Sequence, residues 1–235
     1  MCIKKTGIVI LARLSSLRLP GKALIKINGK PIIEHIIDRL QNSFEKERII
    51  LATSKEISDD KLCEFAKNYG ISYYRGSLIN VAERFMEAST HAGFDISIRV
   101  TGDSIFTDTN ILNTMLKEAS PEDYDMISNR KHKTYPIGQT FEIINMDSYK
   151  KLYPCFSTTE DFEHVTHYLY NNEKEAELNI YHHINPDGIY RNISLAIDTP
   201  EDLEKAKGIV SQLGKSLNAT NYKKIYKLYQ KSIQR

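Results

Sequence analysis

The chain has 235 residues, with 32 Lys+Arg, 30 Asp+Glu and 7 His. Hydrophobic residues make up 41% and charged residues 26%, which excludes a disordered polar chain and, at this length, suits one large globular domain or two small ones. The longest early apolar run, Gly7–Ala12, stops at Arg13. That is far short of the ~18 residues of a membrane-spanning helix, and no small-residue cleavage site follows it. A cytoplasmic protein without membrane partners is expected.

Cys2, Cys63 and Cys155 are widely spaced and contain no C-x-x-C pair. They suit neither a disulfide framework nor a zinc site. Charge is uneven along the chain. From Lys205 to Arg235 there are eight basic residues and no acidic one, so the rest of the chain carries 24 basic against 30 acidic residues. An acidic body argues against nucleic-acid binding.

In chain order, Ile8–Ala12 reads as a buried strand and Pro31–Leu40 as a helix with Ile32, Ile33, Ile36, Ile37 and Leu40 on one face. Ile49–Thr53 is the next strand. Ser58 caps a helix carrying Leu62, Phe65 and Ala66, which Gly70 ends. Ser72–Tyr74 is a short strand, Val81–Ala92 a helix, Ile96–Val100 a strand and Asp108–Lys117 a helix with an acidic start. This alternation implies βαβ units and a mostly parallel sheet covered by helices on both faces. After residue 125 the rhythm changes. Phe141–Asn145, Leu178–His183 and Ile193–Ile197 read as strands, and Glu160–Tyr170 as a helix. Pro200 opens another helix with Glu201 and Asp202 at its positive end, and Tyr222–Ile233 is a terminal helix. An α/β domain with a small inserted arm and a basic amphipathic tail (214–235) is the expected architecture.

Ligands of such sheets bind beyond the carboxyl ends of the strands. Three segments place chemistry there. The first, Leu11 to Lys22, follows the first strand and holds Arg13, Arg18 and Lys22 around a Pro20-Gly21 turn. It matches neither glycine-rich phosphate loop, but two guanidinium forks and a lysine suit a triphosphate. The alternative is a solvated basic loop. The second, Arg99-Val100-Thr101-Gly102-Asp103, brings a carboxylate to a strand end. The third, Leu195-Ala196-Ile197-Asp198-Thr199-Pro200, repeats that grammar. Each aspartate is either a turn or cap residue or a ligand of Mg²⁺, which commonly takes one or two carboxylates plus substrate phosphates.

These segments resemble the cytidylyltransferase family. Ala12 to Lys22 is similar to its ARxxSxRLPGK signature, and Gly29-Lys30-Pro31-Ile32 and Ala52-Thr53-Ser54 continue the likeness. Tyr74-Arg75-Gly76-Ser77 with Val81 and Arg84, Arg99 to Asp103, Tyr135-Pro136-Ile137-Gly138, Glu142, Glu163-His164-Val165-Thr166 and Asp198 to Leu203 complete it over residues 6–213. The nearest branch is the spore coat polysaccharide protein F-like enzymes, relatives of CMP-Kdo and CMP-sialic or legionaminic acid synthetases.

The resemblance implies a Rossmann-like nucleotidyltransferase fold, a Mg²⁺ cofactor, and CTP attacked by a sugar-acid hydroxyl for surface polysaccharide synthesis in a homodimer. It implies that Arg13, Arg18 and Lys22 hold the triphosphate and that Asp103 and Asp198 bind the metal. Arg13, Lys22 and Asp103 would act in catalysis. Leu11, Ala12, Ala52, Thr53, Arg75 and Thr101 would lie near the nucleotide. Tyr135, Gly138, Glu142, Glu163 and His164 would face the sugar. Leu17, Asn80 and Gln139 depart from the family pattern at positions that bear on base and sugar specificity.

Other readings are a sugar 1-phosphate nucleotidyltransferase using another base and a catalytically silent nucleotide-binding module. A glycosyltransferase would want a D-x-D motif, which Asp103-Ser104-Ile105 lacks. Glu163, His164 and His167 have zinc-ligand types at helical spacing but no evident third partner, so a polar pocket or helix surface is the competing account.

Overall fold

A computed structural model describes residues 4–188, 190 and 193–233. Cys2, Arg235 and the side chain of Ile233 lie outside the described residues. The first strand, β1 (Thr6–Leu11), is buried along all but its first residue, as an apolar run in a parallel sheet should be. A two-residue hairpin, β2 (Lys26–Ile27) and β3 (Lys30–Pro31), leads into α1 (Ile32–Leu40). Then follow β4 (Ile49–Ser54), α2 (Asp60–Tyr69), β5 (Ser72–Gly76), α3 (Val81–His91), β6 (Ile96–Thr101) and α4 (Thr109–Glu118). The second half holds β7 (Met126–Ser128), β8 (Glu142–Asn145), α5 (Met146–Leu152), α6 (Thr159–Glu163), α7 (His167–Asn171), β9 (Ile180–His182), α8 (Pro200–Leu213) and α9 (Tyr222–Ile233).

The main sheet has the order β5-β4-β1-β6-β8-β7-β9. Its first four strands are parallel, and β8 runs antiparallel to both neighbours. Alternate residues feed two cores. Ile8 and Ile10 pack with Ile33, Ile37, Leu112 and Ile209 on one face. Val9 and Leu11 pack with Phe85, Tyr149 and Leu169 on the other. The parallel sheet clad on both faces therefore forms as its alternation implies. Leu11 registers with Ala52 on one side and Thr101 on the other, so three strands end together at one edge.

Four elements differ from the sequence reading. The helix expected over Glu160–Tyr170 breaks at His164–Thr166 into α6 and α7. There Val165 is buried, its carbonyl accepts the Tyr149 hydroxyl at 2.7 Å, and Thr166 donates to buried Glu142 at 2.8 Å. The strand expected over Ile193–Ile197 shrinks to a single bridge between Ser194 and Ile137. Its backbone bonds to the Ile137 loop and to the Asp103 carbonyl, while Leu195 and Ile197 fill the core. Ser58 does not cap α2; Asp59 stands at that position. The strand expected over Leu178–His183 is only Ile180–His182. The β2–β3 hairpin, β7 and α5 are further elements that the pattern did not announce.

Candidate nucleotide-binding cleft

At the carboxyl edge of β1 and β6 lies a cleft of about 800 Å³. Its floor begins with the Ala12–Lys22 loop. Ala12 N–H donates to the Ala52 carbonyl at 3.2 Å, and Gly21 N–H closes the loop onto the Leu14 carbonyl at 2.9 Å. The Asp59 side chain is fully buried and accepts from Leu14 N–H at 2.7 Å, Thr53 Oγ1 at 3.0 Å and Ser54 N–H at 3.1 Å. It makes no cap bond to its own helix. Its carboxylate therefore ties the loop to the end of β4. Sequence reading missed Asp59, whose only signal is an acidic residue shortly after Thr53-Ser54. Gly102 lets β6 end against this loop, because a Cβ there would lie 2.7 Å from Ala12 Cβ.

The three charged segments converge. Lys22 Nζ sits 2.9 Å from Asp103 Oδ2 and 2.9 Å from Asp198 Oδ1, and Arg18 Nη2 lies 3.4 Å from Asp198. Burial alone would lower the Lys22 pKa, but the two carboxylates outweigh it and raise the value, so the ammonium is held charged. Thr101 Oγ1 donates to Asp103 at 2.7 Å and fixes its rotamer. Neither aspartate caps a helix. Asp108 caps α4, and Thr199 with Asp202 forms a capping box on α8.

Opposite this cluster stands the arm. Gly138 has φ +89°, and a Cβ there would lie 2.8 Å from Ala196 N, so the loop presses directly on the segment before Asp198. Glu163 lies 3.9 Å from Arg13, and His164 lines the cleft beside it. Beneath them Glu142 is fully buried and pairs with Arg99, which does line the cleft. Burial would raise the Glu142 pKa, but Arg99 overrides that and holds the carboxyl below its ordinary value. Arg130 lies 3.9 Å from Glu142 with its guanidinium over the Tyr170 ring.

Leu11, Ala12, Arg13, Arg18, Lys22, Thr101, Asp103, Asp198, Gly138, Glu163 and His164 thus share one cleft. Ala52 and Thr53 do not line it; they are buried behind the loop and support it. Arg75 turns away to Asp60 at 2.7 Å and to the carbonyls of Ser54 and Glu56. Tyr135 stacks on His183 and bonds it at 2.9 Å, outside the cleft. Glu142 acts from below, through Arg99. Arg84, Arg99 and Arg130 line the cleft without a role foreseen for them. Arg84 and Arg99 stood within the quoted motifs; Arg130 carried no signal. Among the described residues no group of three or more His, Cys, Asp or Glu is placed to hold a metal, and His167 bonds Asp161 instead of a zinc partner. No helix among them is long and apolar enough to cross a membrane.

Residues 7–233 match the cytidylyltransferase family as a whole. The chain belongs to the cytidylyltransferase family. It is similar to the spore coat polysaccharide biosynthesis protein SpsF of Bacillus subtilis, at 29% identity over 215 residues that cover 88% of this chain and 86% of SpsF. Over 101 residues it is 37% identical to the 3-deoxy-manno-octulosonate cytidylyltransferase of Aeromonas salmonicida, covering 41% of this chain and 39% of that enzyme. A cytidylyltransferase structure from Leptospira borgpetersenii superposes with a TM-score of 0.89 at 28% identity, covering 98% of this chain and 96% of the other. This cytidylyltransferase is therefore a nucleotidyltransferase with a Rossmann-like fold, and CTP is the nucleotide its family membership supports.

Proposed function

We propose that this enzyme couples CTP to a sugar acid, giving a CMP-sugar and pyrophosphate for surface polysaccharide synthesis. The acceptor hydroxyl oxygen bonds to the α-phosphorus, the bond from that phosphorus to the bridging oxygen breaks, pyrophosphate departs, and the hydroxyl proton passes to water. Arg13, Arg18 and Lys22 bind the triphosphate and offset charge building on the pyrophosphate. Asp59 keeps their loop in place. On the acceptor side, Gly138, Glu163 and His164 orient the sugar, with Arg99 held by Glu142 beneath them. The polysaccharide biosynthesis for which SpsF is named and the octulosonate for which the Aeromonas relative is named support a sugar-acid acceptor.

The observation that carries this reading is the placement of Lys22 between Asp103 and Asp198, 2.9 Å from each. One ammonium serving both carboxylates marks a position fit for a single cation, and Mg²⁺ suits it, with substrate phosphates and water as its other ligands. When bound there it would supply charge neutralisation and Lewis acidity at the phosphates. Asp103 and Asp198 are the residues that would hold it.

Calorimetry with CTP, UTP, ATP and GTP in the presence of Mg²⁺ tests the reading. CTP is expected to bind best. A preference for UTP or a purine nucleotide would replace it with a sugar 1-phosphate nucleotidyltransferase.

A further inference from the structure

Among the described residues the guanidinium groups of Arg39 and Arg84 are buried and that of Arg99 is nearly so; Arg39 and Arg99 have their partners. Arg39 donates to the carbonyls of Thr107, Leu217 and Thr220. Arg99 pairs with Glu142. Arg84, the fourth residue of α3, pairs with no carboxylate and donates to carbonyls through Nη1 alone, to Ser77 and, at 3.5 Å, to Leu78. It is only 2% exposed, yet it lines the cleft. Its Nη1 donates to the Ser77 carbonyl at 2.6 Å, its Nε has no hydrogen-bond partner, and no carboxylate among the described residues lies within ion-pair reach.

The sequence holds the side chain in this position. Its stem lies flat on Gly76 at the end of β5, where a Cβ would fall 2.8 Å from Arg84 Cγ. Asn80 caps α3 with a neutral amide, accepting from Glu83 N–H at 3.0 Å, and so brings no countercharge. Two charges act on it: the cation Arg13, which opposes its charge, and the buried carboxylate of Asp59, which favours it more weakly and makes no ion pair with it. Burial first, and then Arg13, push the Arg84 pKa down to about 10. The amino end of α3 adds positive potential on the same side.

A buried cation with spare donors beside a second cation is costly unless an anion completes it. A guanidinium fork matches the paired oxygens of a phosphate or a carboxylate. We propose that Arg84, with Arg13, forms an anion-binding subsite of the cleft that takes a phosphate or carboxylate group of a bound substrate. Which substrate supplies the anion rests on the CMP-sugar reading above; the existence of the subsite does not.

The test compares the wild-type chain with Arg84→Met and Arg84→Lys. Each is titrated calorimetrically with inorganic pyrophosphate, with CTP and Mg²⁺, with uncharged cytidine and with 3-deoxy-manno-octulosonate. Circular dichroism melts check the fold. If the anion is a nucleotide phosphate, Arg84→Met loses about 10-fold or more in affinity for pyrophosphate and CTP, Arg84→Lys loses less, and cytidine is unmoved. If the anion is the acceptor carboxylate, only octulosonate binding falls by that factor. Affinities for all three anions within twofold of wild type would overturn the subsite and leave Arg84 a structural cation. Should Arg84→Met fail to fold, wild-type crystals soaked separately with pyrophosphate, with CTP and with 3-deoxy-manno-octulosonate decide. Anionic oxygen within hydrogen-bond distance of the Arg84 guanidinium supports the subsite, and none there overturns it. A wild-type chain that binds pyrophosphate but not CTP would sink the proposed function while leaving the subsite standing.

Discussion

Lys22 holds two carboxylates that would otherwise repel across the cleft, and that sharing sets what its replacement does. Lys22→Ala removes a charge from the proposed triphosphate site, so pyrophosphate release should slow by ~30–1000-fold, equivalent to about 2–4 kcal/mol of transition-state stabilisation. A steady-state rate near wild type would contradict its role. The aspartates give a sharper contrast, because Thr199 and Asp108 do the helix capping. Asp103→Asn and Asp198→Asn should therefore leave the melting temperature nearly unchanged. Each should lower activity by ~100-fold or more, and the double variant should be little worse than either single. The strand-end position of both residues was legible in the sequence because apolar strands run straight into them. Asp59 and the orientation of Arg75 were not. Both depend on side-chain bonds to Ser54 and to residues of other elements, which no local spacing encodes.

The elements around the cleft have their own chemistry. Asp161 closes the capping box of α6, accepting from Thr158 and Ser157 N–H groups while bonding His167 at 2.8 Å. Burial would raise its pKa, but these bonds prevail and hold it at about 2, below its ordinary 3.8. A depressed carboxyl stabilises the fold above its unfolded pKa and loses that contribution as pH falls through the folded value. Asp161→Asn should thus cost about 2 kcal/mol near neutral pH, and the gap in denaturant midpoint should close between about pH 4 and pH 2. A gap independent of pH would show that charge at Asp161 is immaterial. Helix α9 is the second case. Tyr222, Ile225, Tyr226, Tyr229 and Ile233 recur at helical spacing in the sequence; Tyr222, Ile225 and Tyr229 are buried and Tyr226 is half-buried. Arg39 grips the Leu217 and Thr220 carbonyls, and Asp108 accepts from Tyr222 N–H at 2.8 Å. Truncation after Gly214 should lower the melting temperature without changing nucleotide preference; an unchanged melt would contradict this docking. The break between α6 and α7 was illegible for the opposite reason. Its cause is Glu142, a buried charge more than twenty residues away that draws Thr166 out of helical geometry.

At the scale of the whole molecule, topology makes the site. The parallel register of β1 with β6 delivers the Ala12–Lys22 loop and Asp103 to one edge. The reversal at β8 then brings Glu142 beside Arg99. The first half of the sheet could be read from alternating patterns because each strand and helix buries its own stripe. In the second half the runs Phe141–Asn145 and Leu178–His183 announced β8 and β9, but β7 spans only three residues and was missed, and the run at Ile193–Ile197 is apolar for packing and not for pairing. The central claim is that this edge transfers a cytidylyl group from CTP to a sugar acid, with Asp103 indispensable. Its most direct test is pyrophosphate release by wild type and Asp103→Asn with CTP, Mg²⁺ and a panel of sugar acids. Wild type should release pyrophosphate with CTP and a sugar acid, not with UTP or purine nucleotides, and the folded variant should do so at a rate at least ~100-fold lower. Release that needs a sugar 1-phosphate and another nucleotide, or equal rates for the two proteins, would contradict it.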